Sequence, residues 1–213
     1  MKKWLLATVL LSAGLPVYAI PPVQDPAAAK KPQSGIQVLD DLSAKESAFK
    51  PARDLKPIVL KSEKEAAEVF SDEAVAKLLK NVDFSKQVAL VFAWSGSGQD
   101  RLDYSVARVA PNDPVARPEH VVFSLEPGRT RDLRPHTQVF VLRSDSRWSM
   151  GVSWKQAQEI LKNKDVESVM QMHSRLVTIF LADGTRHETV EPGLDDVIKF
   201  LQEIKKNIPI ATE

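Results

Sequence analysis

The sequence predicts an α+β protein: two small modules with mostly antiparallel sheets covered by helices, preceded by a signal peptide and a disordered linker. Three observations carry that prediction. Capping signals introduce short stretches with apolar residues three and four apart, the spacing of a half-buried helix. Short runs rich in Val, Ile and Phe recur between tight-turn residues, as antiparallel strands do. A Pro- and Ala-rich stretch separates these elements from an apolar N-terminus.

The chain has 213 residues and opens Met1-Lys2-Lys3, followed by an apolar run from Trp4 to Leu15. Pro16 ends the run, and Val17 and Ala19 place small or apolar residues at the minus-three and minus-one positions of a cleavage site. A basic head, a short apolar middle and a small-residue exit form a secretory signal over 1–19. The run is well short of the roughly 20 residues that span a bilayer, so the mature chain is expected to keep no transmembrane segment. The expected location is extracytoplasmic, in the periplasm or the medium. The chain has no cysteine, so neither disulfides nor lipid attachment to a cysteine is available to it. Losing Lys2 and Lys3 from 29 basic residues leaves one fewer base than the 28 acids. That balance argues against nucleic acid or anionic lipid as a general partner.

Residues 20–50 hold Pro21, Pro22, Pro26 and Pro32 with few large apolar side chains, and read as an extended tether. The first module is expected over 57–150. Ile58-Val59-Leu60 is its first strand. Ser62 with Glu65 forms a capping box for one helix, and Ser71-Asp72-Glu73 opens a second with Val75, Leu78 and Leu79 on one face. Gln87–Trp94 is nearly continuous in apolar residues, as suits a central strand. Ser95-Gly96-Ser97-Gly98-Gln99-Asp100 turns the chain into an alternating strand through Leu102, Tyr104 and Val106, and further strands are expected at 121–125 and 138–143. The second module, 151–208, reads as helix, three-stranded meander and helix. Trp154, Ala157, Ile160 and Leu161 form the first stripe, and Leu194, Val197, Ile198, Leu201 and Ile204 the last. If His173-Ser174 and Asp183-Gly184 are two-residue turns, Met170, Val177 and Val190 share a row on the helix-covered face. Glu167, Phe180 and His187 then form a row on the other face, which makes those three a candidate contact surface.

Within 58–142 the string Val82-Asp83-Phe84-Ser85-Lys86-Gln87-Val88, a Gly-rich turn and an alternating strand resemble the C-terminal domain of the protease-complex accessory protein PrcB. That family has a Gly-Gly-Tyr turn where this chain reads Ser95-Gly96-Ser97-Gly98-Gln99-Asp100, with the tyrosine only at Tyr104. Residues 153–204 are similar in layout to the extracytoplasmic domain of the membrane-bound protease FtsH. The similarity rests on Ser153-Trp154, Asp165-Val166-Glu167-Ser168-Val169, Phe180-Leu181-Ala182-Asp183-Gly184-Thr185 and Glu191-Pro192-Gly193-Leu194. The ATPase and zinc-protease parts of that protein have no counterpart here. Both resemblances imply extracytoplasmic protein binding without catalysis, near proteolysis.

No motif carries a specific chemistry. Ser95-Gly96-Ser97-Gly98 has Ser where a nucleophile elbow needs Gly, and a strand follows it instead of a helix. His187-Glu188-Thr189-Val190-Glu191 lacks the second histidine of a zincin and reads as a strand. His120, His136, His173 and His187 have no ligand spacing, so neither metal nor cofactor is expected. The turn flanked by Trp94, Gln99 and Asp100 is a candidate binding loop. Every base between Asp100 and Arg147 is arginine, and Arg129, Arg131 and Arg134 are the best placed for an acidic partner. Interspersed acids, Asp132 among them, offer local ion pairing as the plainer account of those arginines. The expectation is an exported, non-enzymatic protein-binding or accessory protein whose partner is another extracytoplasmic protein. The alternatives are an envelope-acting hydrolase using carboxylates such as Asp100 or Asp103, and a small-ligand carrier with a cleft between the modules.

Overall fold

The structure, a computed structural model, describes residues 35–108 and 118–213. The expected signal peptide and the first part of the expected tether lie outside those residues. The fold is α+β, with sheets that are antiparallel apart from three parallel pairings.

Everything is arranged about β4 (Gln87–Ser97) and β7 (Leu133–Arg143), which pair antiparallel along their whole length from Gln87↔Arg143 to Ser97↔Leu133. Strand alternation sends Ala89, Val91 and Ala93 to one face and Leu90, Phe92 and Trp94 to the other, and all six are buried. Two cores therefore form on one strand, which is why its sequence is a continuous apolar run. The first face is covered by α1 (Glu63–Val69) and α2 (Asp72–Leu79) through Ala66, Phe70, Val75 and Leu78. Each helix is opened by a serine: Ser62 Oγ accepts from Glu65 N and Ser71 Oγ from Ala74 N. The Glu65 carboxylate reaches back to Lys61 N at 2.6 Å rather than to Ser62 N, so the expected capping box closes one residue early.

The second face of β4–β7 meets a sheet of β5 (Arg101–Ala107), β6 (His120–Glu126) and β8 (Arg147–Gly151), ordered β5-β6-β8. Phe92, Phe123, Phe140 and Tyr104 fill the space between them, with ring centroids 4.8 to 6.4 Å apart in tilted and edge-on pairs. β6 is itself two-faced: Val121 and Phe123 join this aromatic core, while Val122 points the other way. There it meets Leu176 and Val190 from the last sheet, formed by β9 (Val166–Gln171), β10 (Leu176–Leu181), β11 (Arg186–Val190) and β12 (Ile210–Thr212) in the order β11-β10-β9-β12. The far face of that sheet is covered by α3 (Trp154–Asn163) and α4 (Asp196–Glu203) through Ala157, Leu161, Val197 and Leu201.

Two expectations are corrected. The tether was read as reaching Lys50, but Ile36, Leu42 and Ala48 are buried and β1 (Gln37–Leu39) pairs with Val139–Val141 of β7. A segment with few apolar residues still folds when each of them meets a waiting core: Ile36 joins the aromatic side, Leu42 and Ala48 the helical side. The second correction concerns register. Both turns of the last meander hold three residues, not two: Met172 N bonds Leu176 O and Leu181 N bonds Thr185 O, each at 2.9 Å. In each the third loop residue is left-handed, Arg175 at φ 69° and Gly184 at φ 82°. One extra residue per turn slips both pairings by one. Thr178 therefore faces Met170 and Glu188, while Phe180 faces Ser168 and Arg186. Met170 is exposed, Val190 sits on the face opposite the helices, and Glu167 is the surplus residue of a bulge. The row Glu167–Phe180–His187 does not exist. Val177, Ile179 and Leu181 keep the helix-covered face as expected.

Gly151 is a point of close approach between the middle and last sheets. A Cβ there would overlap the Glu188 carbonyl oxygen and Val122 Cγ1, and Val152 N donates to that same carbonyl at 2.9 Å. Gly151→Val should therefore cost about 1–3 kcal/mol in urea unfolding, by forcing these sheets apart. Gly184→Ala, with open space around it but a left-handed backbone, should cost only about 1 kcal/mol.

Candidate functional site

The strands β4 and β7 run beyond the cores and end in a polar tip, where the turn after Ser97 meets the loop 127–132 between β6 and β7. Six of the residues singled out from sequence come together here: Trp94, Gln99, Asp100, Arg129, Arg131 and Arg134. Trp94 and His136 are directly cross-strand, and their rings stack at 4.8 Å with planes 13° apart. Trp94 is 2% exposed, so it is a foundation of the tip rather than a contact residue.

Asp100 ties the two loops together. Its Oδ2 accepts from Trp94 Nε1 at 3.1 Å and its Oδ1 from Gly128 N at 2.7 Å. Gly128 is required there, since a Cβ would strike Ser97 Oγ and the backbone of Gln99. Asp132 makes the reverse tie, accepting from Gly98 N at 3.2 Å and from Arg134 Nε at 2.6 Å. The Thr130 hydroxyl and then the Gly98 N–H hold the Asp132 carboxyl below the usual carboxylate range. Because a carboxylate only accepts, Thr130 donates to Asp132. Ser97 Oγ, 2.6 Å from Thr130 Oγ1, then donates to Thr130 and accepts from Gln99 N at 3.2 Å. His136 Nε2 lies 2.8 Å from the Ser97 carbonyl, which fixes that nitrogen as the protonated one. The imidazole thus addresses the carbonyl of Ser97, not its hydroxyl.

The arginines of the tip divide unevenly. Arg134 is paired to Asp132, whereas Arg129 and Arg131 are exposed and have no partner among the described residues. Asp100 is turned onto the Trp94 indole and the Gly128 backbone, whereas Asp132 is exposed, holding Gly98 N and the Arg134 guanidinium. Leu133 stands beside Arg131 and is 78% exposed. The tip therefore presents two free guanidinium groups and one apolar side chain on a cross-tied frame.

The other three candidates lie on the last sheet, away from the tip. Glu167 is exposed, Phe180 is half-buried between Ser168 and Arg186, and His187 is half-buried opposite Ile179. Sequence reasoning did not single out a second polar cluster at the seam of the middle and last sheets. His120 Nε2 lies 2.9 Å from Ser149 Oγ and 3.3 Å from Glu188 Oε2, with Arg186 3.4 Å from Oε1. Serine and acid crowd one ring nitrogen, so the imidazole is not set between them as a catalytic relay requires. The nearby His120 and then the Ser149 hydroxyl lower the Glu188 carboxyl from 4.5 to about 2, against the opposing effect of burial. Residues 120, 149 and 188 are far apart in the chain, and only the layering of the sheets joins them. Among the described residues no group of His, Asp and Glu is arranged to hold a metal ion, and no helix is long and apolar enough to cross a membrane.

Two measurements test these assignments. Asp100→Ala leaves Trp94 Nε1 and Gly128 N without an acceptor, and should cost about 1–3 kcal/mol in chemical denaturation. Glu188 is ionised more readily folded than unfolded, so its contribution is complete above its unfolded value of 4.5 and is lost as pH falls toward about 2. The stability difference between the natural chain and Glu188→Gln should therefore shrink by about 2 kcal/mol from neutral pH to that acid limit.

Compared with protein-family models, with curated proteins and with solved structures, the chain finds no match.

Proposed function

We propose that this is an exported, non-enzymatic protein-binding or accessory protein that meets an extracytoplasmic partner through the tip of the β4–β7 ribbon. One observation carries the reading: Asp100 is spent on backbone and indole donors and Asp132 on Gly98 N and Arg134, leaving Arg129 and Arg131 unpartnered near the exposed Leu133. Sequence alone allowed those arginines to pair with the acids between them. With Asp100 turned inward and Asp132 offset by Arg134, the charge left over is positive, and arginine in that state suits a carboxylate on a partner. A cross-tied loop also loses less entropy on binding than a mobile one, so more of the contact energy appears as affinity. The same geometry weighs against acid–base chemistry by Asp100, both of whose oxygens already hold donors.

The resemblances to the PrcB C-terminal domain and the FtsH extracytoplasmic domain support the same class, binding close to extracytoplasmic proteolysis or envelope maintenance. The leader at 1–19 supports export, and N-terminal sequencing of the secreted product should begin at Ile20. A photo-crosslinking residue at position 133, introduced into the tagged chain in its native host, should give a discrete adduct of higher mass. Arg129→Glu with Arg131→Glu should abolish that adduct and leave the melting temperature unchanged, since neither side chain supports the fold. An adduct indifferent to the charge reversal would rule out Arg129 and Arg131 as the groups that hold the partner.

A further inference from the structure

Resting on that reading of the tip, we infer that the surface is self-complementary and that its partner includes a second copy of the chain, the Leu133 of each copy seated in a groove of the other. The groove lies on the ribbon itself. β1 stops pairing with β7 after Leu39↔Val139, because Asp41 turns left-handed at φ 64° and sends the chain across the ribbon. The crossing segment is fixed by Ala44 N to Thr137 Oγ1 at 3.3 Å and by Lys45 N to Val69 O at 2.8 Å. Between this strap and the ribbon is a groove of about 650 Å³, in the range that binding sites occupy. Leu42, Ala44, Phe49 and Pro135 give it apolar walls, and among the described residues Asp41 and Glu46 are its ionisable liners. Neither carboxylate has a partner among the described residues.

A single exposed leucine is ordinary. This one is distinguished by where the strand puts it. Alternation along β7 places Leu133, Pro135 and Thr137 on one face, and Pro135 and Thr137 line the groove. Leu133 thus stands two residues from the groove, on the same face. A knob and its socket on one face of one molecule meet the requirement for an isologous dimer, in which each copy gives the knob and receives it. The charges fit as well: Arg129 and Arg131 are free beside the knob, Asp41 and Glu46 beside the socket. The contact is small beside a stable dimer interface, so it is expected to be weak and salt-sensitive.

Sedimentation of the exported full chain, from about 10 to about 500 µM in roughly 50 mM salt, should show a monomer–dimer equilibrium that weakens at roughly 500 mM salt. Leu133→Asp should weaken dimerisation at least about tenfold, with circular dichroism and melting unchanged. Arg129→Glu with Arg131→Glu should do the same, as should Asp41→Lys with Glu46→Lys, and combining all four changes should restore the dimer. A chain monomeric throughout that range overturns the inference, as does a dimer indifferent to Leu133→Asp or not restored by the fourfold reversal. The mass of the position-133 adduct separates this from the broader reading. An adduct only to other proteins, lost on charge reversal, overturns self-association and leaves partner binding standing. A dimer that needs Leu133, with charge-indifferent adducts to other proteins, overturns that binding reading and upholds self-association.

Discussion

The eleven-residue pairing of β4 with β7 constrains the rest of the molecule, because both faces of that ribbon must be kept from water. Fully burying a large aliphatic or aromatic side chain contributes about 1.5–3 kcal/mol relative to leaving it exposed. Leu90, Phe92, Phe140 and Leu142 on one side, and Val91, Val139 and Val141 on the other, are each at most 1% exposed. A sheet with one wet face would forfeit half of that. Helices therefore close one side and a second sheet the other, and β6 passes the same demand onward by presenting Val122 to a third sheet. The layers follow from successive strands with two apolar faces, ending where α3 and α4 cap the stack with amphipathic helices.

At the ribbon's end the same register does a different task. Past Trp94 and His136 the cores stop, and the paired backbone carries polar side chains into solvent. Carboxylates then act as acceptors for stray N–H groups rather than as surface charge. Asp100 and Asp132 do so at the tip. Glu191, fully buried at the start of α4, does so by accepting from Gln171 Nε2 at 2.6 Å and from Val197 N at 2.8 Å. A buried acid without a cation is tolerable only because such donors replace its lost hydration. Counting charges along the sequence therefore misjudges the surface: Asp132 and Arg134 cancel, Asp100 is withdrawn, and Arg129 and Arg131 remain.

The fold class was legible because it depends on local patterns. The nearly continuous apolar run at Gln87–Trp94 specified a central strand, and Ser62, Ser71 and the stripe Trp154–Leu161 announced their helices through caps and spacing. Misreadings arose where one residue decides. Asp183-Gly184 is a strong two-residue turn signal, yet the loop takes Ala182 as well, because its glycine serves as the left-handed third residue. Arg175 takes the same conformation with no sequence signal for it. Each added loop residue exchanges the faces of the neighbouring strand, so Met170 went to solvent and Val190 to the opposite core. At the tip, the loop and the arginines were visible in sequence, but His136, Thr130 and Leu133 were not. Their importance follows from the pairing of residues about forty positions apart, which no local pattern encodes.

The direction of the side chains at the tip also bears on rate as well as affinity. Free guanidinium groups at the end of a projecting ribbon act within a Debye length, about 10 Å in 0.1 M salt, before any contact forms. On the proposed reading they would guide encounter, and the exposed Leu133 would add short-range fit once water is expelled. Were both Asp100 and Asp132 to swing outward, the field would weaken, Asp100 leaving Gly128 N unpaired and Asp132 leaving Gly98 N unpaired. Frame and field are thus coupled through the same two carboxylates. A substitution that loosens the frame should also dim the charge, so binding tests need the exposed arginines as their variables and these two acids left intact.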